Sequence, residues 1–239
     1  MKQIISASYE LMSAQVASDL LEIMSPHPHP LLSPASGDSP KGLYRELVRL
    51  SREGQTNIAA WNYVGLDEWV GLNGSDEGSC RHHLDQDLFQ PLSVSPGKIH
   101  FFDGRANDLE EECRNTEQFI KDKGGIEVAI VGIGMNGHIG MNEPGVDPGL
   151  RSHVTNLDPV TKTVGQKYFS SGQVLDKGIT LGIASLMDAR YVFLLISGKH
   201  KAQIFRKLLE SPPDAAFPAS LIKKHPGLRV YLDRDAAMK

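Results

Sequence analysis

One histidine and one glutamate lie close together in the glycine-rich segment GIGMNGHIGMNEPG, residues 132–145. The imidazole of His138 can accept and return a proton near neutral pH. Glu143 can fix the tautomer of that ring or relay its proton, and Asn136 can orient the ring or hydrogen-bond a ligand hydroxyl. The glycines let the backbone turn sharply and leave room for a ligand. The segment predicts a proton-transfer site, with a purely structural histidine as the alternative.

A second carboxylate that can do chemistry is Asp67, which ends an apolar stretch in the segment GLDEWVGL. Partial burial raises the pKa of a carboxyl toward the working pH, which suits a general base. The alternative is that Asp67 and Glu68 form an exposed acidic pair that caps the next turn, and an isolated Asp-Glu pair favours this alternative.

A third candidate is an anion site in the loop SPASGDSPKG, residues 33–42, which precedes a predicted helix. Small residues let backbone N–H groups approach an anion, and the positive end of the helix dipole adds to the attraction. Ser36, Gly37 and Ser39 supply hydroxyl and amide donors. The alternative is a plain helix cap by Ser39 or Asp38. The loop lacks the GxxxxGK[ST] spacing of a Walker loop.

Two lysines complete the candidate set, and each lies near a predicted strand or helix end. Lys201 lies on the first turn of the helix that follows YVFLLISG, and Lys167 lies on a predicted helix in KTVGQKYF. Either can bind a phosphate, and either can be an ordinary solvated surface lysine. His82 and His83 lack a third ligand at a sensible spacing, so we expect no metal site.

The elements that must position these residues alternate between apolar strands and amphipathic helices. Such alternation predicts an α/β three-layer sandwich with a mainly parallel, Rossmann-like central sheet. We expect one domain over residues 1–239, with ligands beyond the carboxyl ends of the strands. The predicted helices span residues 9–24, 41–54, 106–125 and a stretch starting near 198, and the predicted strands span 58–67, 126–134, GITLGIASLM, YVFLLISG and 227–233.

Composition excludes several other classes of protein. The net charge of -4 provides no basic excess for general binding of nucleic acid. Cys80 and Cys113 form no CxxC pair and are expected to be reduced thiols of a cytoplasmic protein. No leader or membrane-spanning apolar run is recognised. A GxGxxG spacing is present in the glycine-rich segment, but NEPG follows where a dinucleotide-binding helix should start, so no such cofactor is expected.

The chain resembles the glucosamine-6-phosphate deaminase (isomerase) family. The resemblance is carried by SGDSPKGLY, LDEWVGL, GIGMNGHIGMNEPG, ITLGIASLM and SGKHKA in this order, and it covers nearly the whole chain. The galactosamine-6-phosphate isomerase branch is the most similar, through DEW and KGGIEVAIVGIG. The resemblance implies that a 2-amino-2-deoxyhexose 6-phosphate becomes a ketose 6-phosphate and ammonia, with no cofactor and no metal.

The resemblance also implies a role for each candidate residue. Asp67 matches the base that moves a proton between C2 and C1, His138 matches the residue that helps to open the sugar ring, and Glu143 matches its partner. Asn136 stands where some members have Asp and others Asn. The expected substrate-binding residues are Ser36, Gly37, Ser39, Gly137, Lys167 and Lys201.

Some residues depart from the family pattern. Asp38 stands where a small neutral residue is usual, and an acid beside a phosphate is repulsive unless it points away. Lys167 replaces an arginine, which keeps the charge but loses the planar fork, and Met141 replaces an aromatic residue. These departures favour galactosamine 6-phosphate over glucosamine 6-phosphate. His153 and Thr155 lie near positions that are basic in the allosteric members of the family, and the carboxyl end of this chain is shorter than theirs. We therefore expect no activation by an amino sugar.

Two alternatives to this enzyme stay open at the sequence level. One is a hydrolase of the 6-phosphogluconolactonase type, whose members carry a similar Gly-His turn but lack the NEPG continuation. The other is a sugar-phosphate-binding protein without catalysis. The expected partner is a small-molecule substrate, and the expected assembly is a monomer or a small homo-oligomer.

Overall fold

The computed structural model describes residues 1–238, which form two sheets and seven α-helices. The strands are β1 (Lys2–Ser6), β2 (Leu31–Ser33), β3 (Asn62–Val64), β4 (Asp67–Trp69), β5 (Ile99–His100), β6 (Val128–Gly132), β7 (His153–Asn156), β8 (Lys177–Thr180), β9 (Tyr191–Ile196) and β10 (Leu228–Asp233). The helices are α1 (Tyr9–Met24), α2 (Lys41–Arg52), α3 (Cys80–Leu84), α4 (Leu109–Asp122), α5 (Pro159–Gly165), α6 (Ile183–Met187) and α7 (Ala202–Glu210).

The larger sheet has seven strands in the order β1-β10-β9-β6-β2-β3-β5, and each neighbouring pair is parallel. Its central strands are buried on both faces, because Val128 and Ile130 of β6 pack into one apolar cluster and Ala129 and Val131 into another. Helices α1 and α2 contribute to the first cluster, and α7 contributes to the second. The predicted three-layer α/β fold is confirmed.

A second sheet of three antiparallel strands, in the order β4-β8-β7, corrects two predicted strands. Residues 58–67 do not form one strand: Ile58–Ala60 is a 3-10 turn, and the chain bends at Leu66, just after Gly65, where a side chain would overlap the Phe101 ring. The stretch GITLGIASLM is a strand only as far as Thr180, and helix α6 starts after Gly182. Asp67 therefore belongs to the second sheet, where it pairs with Thr180.

Helix ends follow from local capping. The predicted helix over 106–125 begins later, because the carboxylate of Asp108 accepts the N–H groups of Glu110 and Glu111, and it ends at Asp122. The helix predicted over 41–54 ends at Arg52. Strand β1 was not predicted.

No helix within residues 1–238 is both long enough and apolar enough to cross a membrane.

The chain reverses its direction across the larger sheet between β2 and β6. From β2 it continues outward through β3 to β5, and after β6 it continues the other way through β9 to β10. Ligands of such sheets bind beyond the carboxyl ends of the strands at this reversal. The loops after β2, β3, β6 and β9 meet there, and they carry most of the candidate residues.

Candidate active site

A cavity of about 380 Å³ lies among the loops that follow these four strands. It collects candidates from distant parts of the sequence, as predicted. The candidate residues that line it are Ser36, Gly37, Ser39, Asp67, His138, Lys167 and Lys201. Glu143, Asn136 and Gly137 lie behind this lining rather than in it.

Asp67 faces the cavity from the start of β4 and is 8% exposed. Burial raises the pKa of its carboxyl to about 6, and a hydrogen bond with the Cys80 thiol acts in the opposite direction. The carboxyl oxygen also lies near Gly140, in the same glycine-rich turn that carries His138. An ionised, poorly solvated carboxylate at neutral pH is suited to accept a proton from carbon.

Glu68 lies beside Asp67 in sequence but serves a different purpose. It is fully buried, and its carboxylate accepts the backbone N–H groups of Trp69, Cys80 and Arg81 at 2.9 Å each. Burial raises the pKa of the Glu68 carboxyl to about 7. These bonds fasten the first turn of α3 to β4. The interpretation of an exposed acidic pair is therefore wrong, since both side chains are buried.

His138 lines the cavity opposite the end of β6, and its ring packs directly over Gly134, where a Cβ atom would overlap it. Burial, followed by the charge of Lys201, lowers the pKa of the imidazole to about 4. The ring is therefore neutral over the physiological pH range. A neutral imidazole can both accept and donate a proton, which an imidazolium cannot.

Thr161 of α5 and Glu143 both lie beside Nδ1 of this ring. The hydroxyl oxygen of Thr161 lies 3.0 Å from His138 Nδ1, while Glu143 Oε2 lies 3.7 Å from the same nitrogen. Because a carboxylate accepts only, its position beside Nδ1 favours the tautomer in which Nδ1 carries the proton, and Nδ1–H then donates to the hydroxyl of Thr161. This arrangement leaves Nε2 as the basic nitrogen of His138.

Asn136 holds the glycine-rich turn together. Its amide nitrogen donates to Glu143 Oε2 at 2.9 Å, and its amide oxygen accepts the backbone N–H of His138 at 3.1 Å. Of its two predicted uses, the contacts therefore favour orienting the turn over contacting a ligand. Burial raises the pKa of Glu143, and its Oε1 has no hydrogen-bond partner within residues 1–238.

Gly137 supports the turn from behind instead of lining the cavity. Its φ is +92°, and a Cβ atom there would overlap the ring of Phe217, which is 3% exposed. Its carbonyl accepts the N–H of Ala219 at 2.9 Å. The contacts favour a structural role over the substrate contact that the sequence predicted.

We expect Gly137→Ala to lower the free energy of unfolding by about 2–4 kcal/mol, from left-handed backbone strain plus overpacking. Gly145→Ala is a matched control, because Gly145 has a φ of +93° and nothing within 4 Å of its Cβ position. The control should lose about 1 kcal/mol in urea unfolding. Equal losses of unfolding free energy for the two variants would show that the Phe217 ring does not clash with a side chain at position 137.

The loop between β2 and α2 presents Ser36, Gly37 and Ser39 to the cavity. Gly37 has a φ of +99°, and a Cβ atom there would lie 3.0 Å from the hydroxyl of Tyr168. The helix-cap interpretation is wrong, because neither Ser39 nor Asp38 caps α2 through its side chain. The hydroxyl of Tyr9 accepts the N–H of Gly42 at 2.7 Å instead.

Both candidate lysines reach the same cavity. Lys201 ends the 3-10 turn Lys199–Lys201 just before α7, and its ammonium donates to the carbonyl of Ile133 at 2.6 Å. Burial, followed by the charge of Lys167, lowers the pKa of Lys201 to about 8. Lys167 lies in the 3-10 turn Gln166–Tyr168, which directly continues α5, so the predicted helix is present and ends in a 3-10 turn. Two ammonium groups on one cavity favour an anionic ligand.

Sequence reasoning missed several residues that shape the site. Thr161 carried no signal toward His138, although the Asp-Pro pair at 158–159 marks the start of its helix. Cys80 was expected only to be a reduced thiol, but it lines the cavity beside Asp67. Within residues 1–238, no group of three His, Cys, Asp or Glu side chains is placed to hold a metal ion.

The chain is similar to known proteins over its full length. The family model for glucosamine-6-phosphate isomerases/6-phosphogluconolactonase matches residues 9–231. A glucosamine-6-phosphate deaminase of Shouchella clausii is 40% identical, with 96% of this chain and 94% of the relative covered. A solved structure of a monomeric glucosamine-6-phosphate deaminase superposes with a TM-score of 0.95 at 36% identity, over 99% of both chains.

A more distant structure shares the fold alone. The 6-phosphogluconolactonase from Trypanosoma brucei superposes with a TM-score of 0.75 at 18% identity, over 99% of this chain and 97% of that one. At that identity, the likeness carries nothing about the reaction.

Proposed function

The chain belongs to the family of glucosamine-6-phosphate isomerases and 6-phosphogluconolactonases, and on that premise we propose that it is an aldose–ketose isomerase with deamination. It converts a 2-amino-2-deoxyhexose 6-phosphate and water into the ketose 6-phosphate and ammonia. The observation that carries the proposal is that Asp67 and His138 line one cavity together with two lysines. A general base, a neutral imidazole and an anion subsite are what this reaction requires.

Ring opening is the task of His138. The pyranose opens when the proton of the anomeric hydroxyl is removed and the ring oxygen O5 is protonated. Because the imidazole is neutral, one group can do both in turn through Nε2. Thr161 and Glu143 act behind the ring, where they fix Nδ1 as the protonated nitrogen.

Isomerisation is the task of Asp67. The open-chain aldehyde loses its C2 proton to the carboxylate while O1 takes a proton from the substrate's own ammonium group, which gives an enolamine across C1 and C2. The carboxyl then returns the proton to C1, which leaves an imine at C2 that water hydrolyses to the ketone and ammonia. With its pKa near 6, the carboxyl holds and returns a proton at neutral pH more readily than an ordinary aspartate.

The phosphate anchors the substrate away from the reacting carbons. Ser36, Gly37 and Ser39 supply donors from the loop before α2, and Lys167 and Lys201 supply positive charge. Binding energy from a remote group positions the reacting carbons against Asp67 and His138.

We expect ammonia release from glucosamine 6-phosphate to exceed that from galactosamine 6-phosphate. The names of relatives that are 36–40% identical support glucosamine, while the departures at Lys167 and Met141 support the galactose epimer. Both sugars should be assayed side by side at equal concentration for ammonia and for ketose phosphate. A higher kcat/KM on galactosamine 6-phosphate would restore the preference drawn from the sequence.

The same assay separates the competing functions. A hydrolase of the 6-phosphogluconolactonase type would release no ammonia and would open a lactone instead. A binding protein without catalysis would bind the sugar phosphate with no turnover. The burial of Asp67 and Glu143, and the position of Glu143 Oε2 3.7 Å from Nδ1 of the half-buried His138, count against that second alternative.

The proposal includes that the protein is a monomer or a small homo-oligomer and works in the cytoplasm. The superposable structure is described as that of a monomeric enzyme, which supports a monomer. One chain also supplies every candidate residue of the cavity.

A further inference from the structure

An acidic side chain lies within the candidate phosphate subsite. Asp38 stands between Gly37 and Ser39 and lines the same cavity. Its carboxylate bridges two ammonium groups: Oδ2 lies 2.7 Å from Lys167 Nζ, and Oδ1 lies 3.2 Å from Lys41 Nζ. The subsite is therefore not simply positive, because one of its cations already has an anionic partner.

This carboxylate is charged under ordinary conditions. Burial acts to raise the pKa of Asp38, but hydrogen bonds from Lys167 and Lys41 hold it below its usual value. The second cavity lysine, Lys201, uses one of its three N–H donors on the carbonyl of Ile133 and has no carboxylate partner within residues 1–238. An incoming phosphate therefore meets Lys167 already occupied by the carboxylate of Asp38.

The backbone around Asp38 is held by hydrogen bonds, while its side chain is exposed to solvent. The hydroxyl of Tyr9 donates to the carbonyls of Asp38 and Ser39, at 3.0 and 3.1 Å. The Asp38 side chain is 62% exposed, and its partner Lys167 is 49% exposed. Because the loop is fixed and the carboxylate faces solvent, the ion pair can open without moving the donors of the loop.

We propose that Asp38 is a resident anion of the phosphate subsite: it pairs with Lys167 while the subsite is empty, and phosphate must displace it. Lys41 then retains the displaced carboxylate, since it already contacts the opposite oxygen. The inference rests on the proposed function for the location of the phosphate. It makes Asp38 a residue that sets affinity by competition, whereas the other residues of the loop bind the phosphate directly.

The opposite role for Asp38 predicts the opposite result. If the carboxylate pre-organises Lys167 for phosphate, its removal leaves a mobile lysine and weakens phosphate binding. If the carboxylate competes with phosphate, its removal strengthens binding. The sign of one affinity change therefore separates the two roles.

The test is calorimetric titration of the full chain with inorganic phosphate at fixed ionic strength. Asp38→Asn should bind phosphate about three- to tenfold more tightly than the unmodified protein, as expected for loss of one partly exposed charge contact. Asp176→Asn is a matched control, because Asp176 makes an exposed ion pair of 2.8 Å with Lys162 outside the cavity. It changes the net charge equally and should leave phosphate affinity unchanged.

The role of Lys41 is tested by a double-mutant cycle. Lys41→Met should weaken phosphate binding in the unmodified protein, because Asp38 is no longer held away from Lys167. In the Asp38→Asn background the same substitution should cost much less. An equal loss in both backgrounds would show that Lys41 attracts phosphate by itself, which overturns the retention step.

The inference and the proposed function fail in different ways. Tighter phosphate binding by Asp38→Asn, together with no ammonia release by the unmodified protein, would support the inference and reject the proposed reaction. Ammonia release with unchanged or weaker phosphate binding by Asp38→Asn would support the reaction and overturn the inference. Absence of measurable phosphate binding in all variants would also overturn it.

Discussion

Asp67→Asn is expected to lower kcat for ammonia release by roughly 10²- to 10⁴-fold, while KM changes little. The amide keeps the size and the position of the carboxyl but cannot accept a proton from carbon. Because Asp67 is not among the residues that bind the phosphate in the proposal, substrate binding should persist. The measurements are steady-state kinetics of ammonia release and a binding titration with the substrate.

Asp19→Asn is a matched control for this variant. Asp19 is also 8% exposed, but it bonds Tyr231 and Arg229 away from the cavity. That variant should lose stability and retain kcat. The pH profile gives independent support: kcat/KM should fall below about pH 6, where the carboxyl of Asp67 is protonated. If Asp67→Asn retains activity, another group is the base.

His138→Gln is expected to lower kcat on the cyclic substrate by roughly 10²- to 10³-fold, since the glutamine amide cannot exchange protons with O1 and O5. The side chain stays polar and similar in reach, so the cavity should keep its shape. The variant should bind the acyclic reduced analogue, the amino-hexitol 6-phosphate, as tightly as the unmodified protein does. Inhibition constants for this analogue measure that directly.

This pair of measurements separates ring opening from binding. A loss of analogue affinity equal to the loss of kcat/KM would show that His138 holds the substrate instead of opening its ring. A structural contribution is assessed by urea unfolding of the same variant. Because the imidazole is already neutral at physiological pH, its loss removes no charge from the site.

The sequence predicted the layers of the fold and the meeting of its loops, for a simple reason. Strands such as β6 and β9 are apolar on both faces, and helices follow them, so a parallel covered sheet is the arrangement that satisfies both. Once the sheet is parallel, loops after neighbouring strands share an edge. This argument predicts that Asp67 and His138 lie at one edge of the sheet, and both line one cavity.

The second sheet could not be predicted in the same way. Strands β4, β7 and β8 are three or four residues long, and β4 pairs with a strand more than a hundred residues later in the chain, as Asp67 does with Thr180. Short strands leave little periodicity, and long-range register is set by tertiary packing. The same reason hid Thr161, whose contact with His138 depends on where α5 packs.

The partition of the site between two sheets has a consequence for distant residues. Asp67 starts a strand of the small antiparallel sheet, while His138 is carried by a loop of the large parallel one. Thr180 joins them, because its hydroxyl accepts the N–H of Met141 and donates to the carbonyl of Leu66. The relative position of the Asp67 carboxyl and the His138 imidazole therefore depends on the contact between the two sheets. We expect that a substitution which shifts one sheet against the other lowers activity, although the substituted residue contacts no reacting group.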